Sequence, residues 1–302
     1  MSMQNDIVSG RAMALTENSQ WRQIRELFGR APTLIRVAGV TIAACYLIAL
    51  LSPLLSPYGP ADQDLLARLQ PPAFLDGTWS HPLGTDHLGR DVLSRLLHAL
   101  NTTLVIATLG VIVGVVTGGL AGLISGLAGR RVDGIFMLLV DAQASVPLTL
   151  LALAAVALSG SSTLVLVLIV GISDYDKYAR VVRSQVLVIK NRAFVESARA
   201  LGASPVRVAF RHVLPSIVSP LTVLATSNFS SVVILESALS FLGVGIQPPD
   251  TSLGAMLGEA RNYLITNWWL AAIPTALIVV ITMAVSLLGD WLRDLFDRRL
   301  ST

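Results

Sequence analysis

Residues 101–128, NTTLVIATLGVIVGVVTGGLAGLISGLA, run for 28 residues without a charged side chain. A helix rises 1.5 Å per residue, so this stretch is long enough to cross the roughly 30 Å hydrocarbon core of a bilayer. Within it Gly110, Gly114, Gly118, Gly122 and Gly126 recur at steps of four. That step keeps residues on one helix face, and a missing side chain there lets another backbone approach closely. The spacing predicts a membrane helix tightly packed along a glycine stripe. It carries no chemistry of its own.

Five more apolar stretches, 33–54, 134–158, 161–184, 214–236 and 268–289, have comparable length. The expected fold is therefore all-α: a polytopic membrane protein of about six transmembrane helices. The 161–184 stretch differs from the others because Asp174, Asp176 and Lys177 fall in its second half. It is expected to leave the lipid early and continue as a helix into water. Composition agrees with a membrane protein. Of 302 residues 53% are hydrophobic and 14% charged, with a mean hydropathy of +0.68, whereas soluble domains carry about 25% charged residues.

The distribution of Lys and Arg orients the chain. Of 22 such residues, 18 fall in the N-terminal segment, the loop after the second span, the loop after the fourth and the tail, counting Arg36 with the first and Lys177, Arg180 and Arg183, in the half of the 161–184 stretch expected to leave the lipid, with the third. Only Arg68, Arg90, Arg95 and Arg261 fall in the alternate loops. Positive residues stay on the cytoplasmic side, so both termini are expected there, in a bacterial inner membrane. The net charge of +3 is explained by this arrangement, and nucleic acid is not an expected partner. The division along the chain is a cytoplasmic segment 1–32, a first helix 33–54, an extracytoplasmic loop 55–98, a permease-like core 99–290 and a cytoplasmic tail 291–302. In the first segment Trp21, Ile24, Leu27 and Phe28 share a helical face before Gly29. That pattern fits a helix lying on the membrane surface or a partly ordered tail. The first apolar run begins too late and runs too long for a cleavable signal peptide.

Soft metal ligands are few. Cys45 is the sole cysteine, which excludes an intrachain disulfide or a cysteine zinc cluster. His87 and Asp91 stand four apart within the outer group Asp86, His87, Arg90, Asp91 and Arg95. Two ligands could share a face at that spacing, but two arginines among the acids favour a salt-bridged structure, and no metal site is expected. A membrane-embedded enzyme would need a nucleophile with a base, or a metal set. No catalytic residue is assigned, because Asp141 stands alone in its span. As an ionisable group in a span it is a candidate for a translocation path or for helix packing. Asn228 in the fifth span is a second path candidate. Glu236, at the end of that span, is a third, facing either an outer mouth or simply water. Gly243-Val244-Gly245 lacks the third glycine and the strand of a dinucleotide site.

The cytoplasmic stretch from Glu196 to Pro215 is the most informative. Gly202 suits the left-handed position that ends a helix. Ser204 can cap a new helix, with Pro205 in its first turn, and this second helix ends near Pro215. A rigid helix–turn–helix is therefore expected to project into the cytoplasm. Its small residues would admit a partner's surface.

This stretch resembles the coupling loop of binding-protein-dependent ABC importer permeases, whose pattern begins Glu-Ala-Ala, places a Gly three residues on, and closes on Leu-Pro. Here Glu196-Ser197-Ala198, Gly202 and His212-Val213-Leu214-Pro215 fill it, with Ser197 in place of the usual alanine. His212 is similar to the form found in the peptide and nickel branch. Residues 81–95 and 236–249, then Gly254 and Trp268-Trp269, resemble the outer segments of second-permease subunits of dipeptide importers. The resemblance covers the chain from about residue 33. It implies a type I permease fold, a homologous second permease, two cytoplasmic ATP-binding subunits and an extracytoplasmic solute-binding protein. ATP and Mg would be bound by those partners, and no cofactor by this chain, which has no GxxxxGK[ST] loop. The resemblance further implies that Glu196, Ser197, Ala198, Arg199, Gly202, Arg207, His212, Leu214 and Pro215 seat in an ATP-binding subunit. Arg199 and Arg207 would pair with acids there. Di- or oligopeptides lead the implied substrates, with nickel chelates, opines and glutathione as alternatives. A secondary transporter without an ATPase is the competing class; inverted repeats and broken helices would mark it, and neither is evident.

Overall fold

Pro32 opens helix α1, Thr33–Leu50, which a short helical turn, Ser52–Leu55, follows directly. The computed structural model describes residues 31–300. The candidate surface helix around Trp21 lies outside the described residues. Helix α2, Val92–Leu127, is 36 residues long. It begins well before the apolar stretch because Asp91 caps it, accepting hydrogen bonds from the Ser94 N–H and hydroxyl, both at 2.7 Å.

The remaining expected spans appear at their places, two of them broken. Helices α3, Arg130–Ala144, and α4, Leu148–Ser159, meet at an angle of 87°. Pro147 stands at this corner, where it has no N–H to continue a helix. Helices α5, Thr163–Ser173, and α6, Tyr175–Ile189, divide at Asp174, where the charges of the sequence begin. After α7, Ala193–Ala200, come α8, Leu214–Phe241, then α9, Leu253–Ala260, and α10, Trp269–Leu300. Helices α1, α2, α8 and α10 are each long and apolar enough to cross a membrane; the bent α3–α4 pair makes a fifth if it is one span. The 11-residue α5 is apolar but shorter. Among the described residues there is no strand, only an isolated bridge between Thr85 and Asp91.

Helix α2 is the axis of the fold, packed along α5 and α6. The five glycines of its stripe are buried on that contact. A Cβ at Gly114 would lie 2.9 Å from the Gly171 carbonyl oxygen and 3.0 Å from the Tyr178 ring. One at Gly118 or Gly122 would press into the carbonyls of Tyr175 and Ala179, and one at Gly126 would lie 2.6 Å from Val186 Cγ1. Side chains here would force the helices apart. Helix α8 packs on α10, and α10 on α1. A main core, including Val92, Leu104, Ile106, Leu166, Val233 and Leu253, joins these helices to α9. A separate core of Val182, Val186, Ile189, Val195, Val208, Val213 and Ile217 forms at the cytoplasmic end.

Candidate functional site

At the cytoplasmic end α7 stops in a well-defined turn. The Ala203 N–H donates to the Ala198 carbonyl at 3.0 Å, and the Leu201 N–H to Ser197 at 3.0 Å. Gly202 has φ +86°. The Ala203 bond and the left-handed Gly202 are those of a Schellman ending, a conformation costly for any residue with a Cβ. Ser204 then accepts from the Arg207 N–H at 3.3 Å and caps the turn Pro205–Val208. The chain widens into a π-helical turn, Ala209–Val213, before α8. Pro215, in the first turn of α8, cannot donate a hydrogen bond to the preceding turn.

Two faces result. Val195, Val208 and Val213 point inward and are buried against α6 and the start of α8. Leu201, 89% exposed, with Val206 and Phe210 points outward. Glu196, Arg207 and Arg211 are also exposed, and among the described residues none of them has an ion-pair partner. Ala198, Leu201, Ala203, Arg207 and Arg211 line a shallow surface concavity. Ser197 turns its hydroxyl back onto the Ala193 carbonyl at 2.9 Å, so its departure from alanine is absorbed within the helix. Arg199 and His212 lie on α7 and on the π turn.

Behind this loop α6 is clamped to its neighbours. Asp133, in the first turn of α3, takes both arms of Arg183, Nε at 2.5 Å and a terminal nitrogen at 2.6 Å, and a hydrogen bond from Ser125 at 2.5 Å. Lys190 donates to the Gly126 carbonyl at 2.9 Å, at the C-terminal end of α2, where a cation is favoured. Sequence reasoning used Arg183 and Lys190 only as markers of sidedness. The partner of Arg183, Asp133, lies 50 residues away, and no local spacing announces it.

At the opposite end Asp86 and Glu259 hold Arg90 and Arg95 between them. Arg90 Nε is 2.6 Å from Asp86, and its terminal nitrogen 2.6 Å from Glu259. Arg95 reaches Asp86 at 2.5 Å and both Glu259 oxygens at 2.8 and 3.0 Å. Burial would raise the Asp86 carboxyl, but the Arg95 and Arg90 guanidinium groups and the N–H groups of Arg90 and Leu88 outweigh it and leave it below its ordinary value. Asp91 pairs with His81 at 3.0 Å rather than with His87, which stacks on Tyr263. Ligand atoms of Asp86, His87 and Glu259 lie within 4.8 Å of one another, but guanidinium groups occupy both carboxylates. The geometry is that of an ion network joining the outer loop, α2 and α9. Glu259 was not singled out in the sequence.

The three path candidates are placed differently. Asp141 is exposed on α3 and pairs with Arg180 of α6 at 3.2 Å. Asn228 is buried near the Tyr178 hydroxyl, and among the described residues its Nδ2 has no partner in hydrogen-bond geometry. Glu236 is 0% exposed. It faces neither water nor an outer mouth within this chain, because α8 runs on to Phe241 and folds the carboxylate inward. There it accepts from Ser240 at 2.8 Å and Thr103 at 3.3 Å.

Comparison with known proteins places this arrangement. Residues 118–302 match the family described as binding-protein-dependent transport system inner membrane component. Residues 19–72 match the N-terminal TM domain of oligopeptide transport permease C. The chain is 39% identical over 253 residues to the di/tripeptide transport system permease protein DppC of Pseudomonas aeruginosa, covering 83% of this chain and 84% of that one. It is 34% identical to the dipeptide transport system permease protein DppC of Haemophilus influenzae, covering 84% and 86%. It is also 34% identical to the probable D,D-dipeptide transport system permease protein DdpC of Escherichia coli, covering 86% of each. An inward-facing structure of the MetNI methionine ABC transporter matches with a TM-score of 0.55 at 18% identity, over 67% of this chain and 96% of that one, and so shares the fold. With its helices, its two-faced cytoplasmic loop and these relatives together, the chain belongs to the family of inner-membrane components of binding-protein-dependent transport systems.

Proposed function

We propose that this chain is one of the two permease subunits of an ATP-driven importer for di- or oligopeptides, working with two ATP-binding subunits and an external solute-binding protein. The names of its relatives support the peptide substrate. One observation supports the coupling role above the others: Glu196–Pro215 buries valines on its membrane side while leaving Leu201, Val206 and Phe210 exposed on its cytoplasmic side. Apolar side chains in water, beside charges that have no ion-pair partner among the described residues, suit a surface that another subunit covers. ATP and Mg are handled by those subunits, and this chain is not itself catalytic.

In this reading the loop seats in a groove of an ATP-binding subunit. Arg207 and Glu196 find opposite charges there. Closure of the two ATP-binding subunits moves the loop, and the Asp133–Arg183 and Lys190–Gly126 ties carry that motion from α6 to α2. The helices then switch between inward-open and outward-open arrangements. Asn228 and Glu236, both enclosed within the chain, serve helix packing in this scheme.

Uptake of labelled dipeptide in cells expressing the full transporter tests the reading. Gly202→Arg is expected to abolish uptake while leaving the amount of protein in the membrane unchanged. Full uptake in that variant would contradict the coupling role. Absence of dipeptide uptake with the native chain would contradict the substrate.

A further inference from the structure

Two ion pairs link α3 to α6, and they differ in kind. Asp133–Arg183 is tight and two-armed. Asp141–Arg180 is loose: one contact at 3.2 Å, with Arg180 Nε also 3.8 Å from Asp176. The Asp141 side chain is 60% exposed and that of Arg180 50%. Lys177, paired with Asp174 at 2.8 Å, lies on the same helix and is about half exposed.

The depth of this group follows from the glycine contacts. The Tyr175 and Ala179 carbonyls rest against Gly118 and Gly122, about 14 and 8 Å along α2 from its end at Leu127, which puts the group in the cytoplasmic half of the bilayer, deeper than the water expected from the sequence. Charges at that depth are costly in lipid and are found facing water-filled cavities or protein. This chain leaves Asp141, Arg180 and Lys177 about half exposed or more, with Asp176 at the edge of the group and only 19% exposed. Both signs are present, and the loose geometry lets each partner be exchanged for a ligand of the same charge.

We propose that Asp141, Asp176 and Arg180 line a water-filled passage and hold the charged ends of a zwitterionic peptide in transit. The two carboxylates receive the ammonium end, and the guanidinium the carboxylate end. The ligand chemistry rests on the peptide-import reading, whereas the exposure to water does not.

The single cysteine makes the test clean. In a Cys45→Ser background, Ala144→Cys, exposed one turn from Asp141 on α3, and, as a reference on the exposed side of α1, Val40→Cys are placed in the assembled transporter. Inverted membrane vesicles are treated with a membrane-impermeant cationic thiol reagent. Ala144→Cys is expected to label at least tenfold faster than Val40→Cys. Saturating dialanine should slow it about fivefold, and the uncharged N-acetyl-dialanine amide should not. Labelling no faster than at Val40 would overturn the passage, placing this face against lipid or a neighbouring subunit. Fast labelling with no protection by dialanine would overturn the recognition of charged ends, and dipeptide uptake measured in parallel would show whether the substrate reading had failed as well. A second variant, Asp141→Asn, should raise KM for dialanine uptake about tenfold with little change in maximal rate; an equal loss in both would mean a structural role alone.

Discussion

The two ends of this permease satisfy their charges in opposite ways. At the outer end Asp86, Arg90, Arg95 and Glu259 neutralise one another in a buried network that joins the outer loop, α2 and α9. At the inner end Glu196, Arg207 and Arg211 reach into water with no ion-pair partner among the described residues, beside exposed Leu201, Val206 and Phe210. The outer end pairs these charges within the chain, although Leu66 and Trp79 of its loop are exposed too. The inner end buries a valine core and leaves its other face exposed. Substitutions at the outer end should therefore be read in stability, and those at the inner end in transport.

The largest stability effect is expected from Arg95→Ala, which leaves Asp86 and Glu259 with one guanidinium between them. Breaking a buried ion pair by removing one partner costs about 3–5 kcal/mol. A marked fall in the melting temperature of the purified transporter checks this; an unchanged value would mean that the outer network is not what holds α9 to α2. Next is Gly118→Ala, whose Cβ would press into the Tyr175 carbonyl, set against Gly119→Ala, whose Cβ would meet nothing nearer than Leu221 at 3.9 Å. Overpacking costs about 1–3 kcal/mol, so the first is expected to lower the melting temperature and the adjacent second to leave it in place. Similar behaviour of the two would dissolve the distinction between the packed and open faces of α2.

Acid should act weakly on the outer end. The Asp86 carboxyl titrates below its ordinary value in the folded protein, so its contribution is fully present above the unfolded value of about 3.9 and is lost as pH falls through the folded value. The melting temperature is expected to depend on Asp86 equally at pH 7 and pH 5, as measured against Asp86→Asn, and the difference should shrink only below about pH 4. A difference that vanished by pH 5 would contradict the arginine-held carboxylate. The smallest stability effect belongs to the inner end. Leu201→Ser is a surface change, worth within about 0.5 kcal/mol, yet it should cut peptide uptake severalfold. Reduced stability with normal uptake would reverse the comparison.

Much of the helical architecture was legible, because uncharged runs longer than a bilayer's thickness have few other uses, and because Asp174, Asp176 and Lys177 mark where the 161–184 stretch breaks. The turn at Gly202 was legible too, since only a few residue types suit a left-handed helix ending, and Ser204 with Pro205 reads as a new start. Tertiary pairings were not. Glu259 meets Arg90 and Arg95 across 169 and 164 positions, and Asp133 meets Arg183 across 50. No periodicity connects such residues. The 87° bend was missed although Asp141, Gln143 and Ser145 lead into Pro147 at it, because the apolar residues on either side carry the whole stretch to membrane-span length. Glu236 looked like a helix end because hydropathy falls there, but the helix continues five residues further and encloses it.

The central claim is that the exposed face of Glu196–Pro215 is covered by an ATP-binding subunit. In a Cys45→Ser background, Leu201→Cys and the equally exposed outer-loop Leu66→Cys can each be joined to neighbours by a short thiol-to-amine cross-linker in native membranes. The account expects an adduct with an ATP-binding subunit from Leu201→Cys and none from Leu66→Cys. No such adduct from Leu201→Cys, or the same adduct from Leu66→Cys, would contradict it.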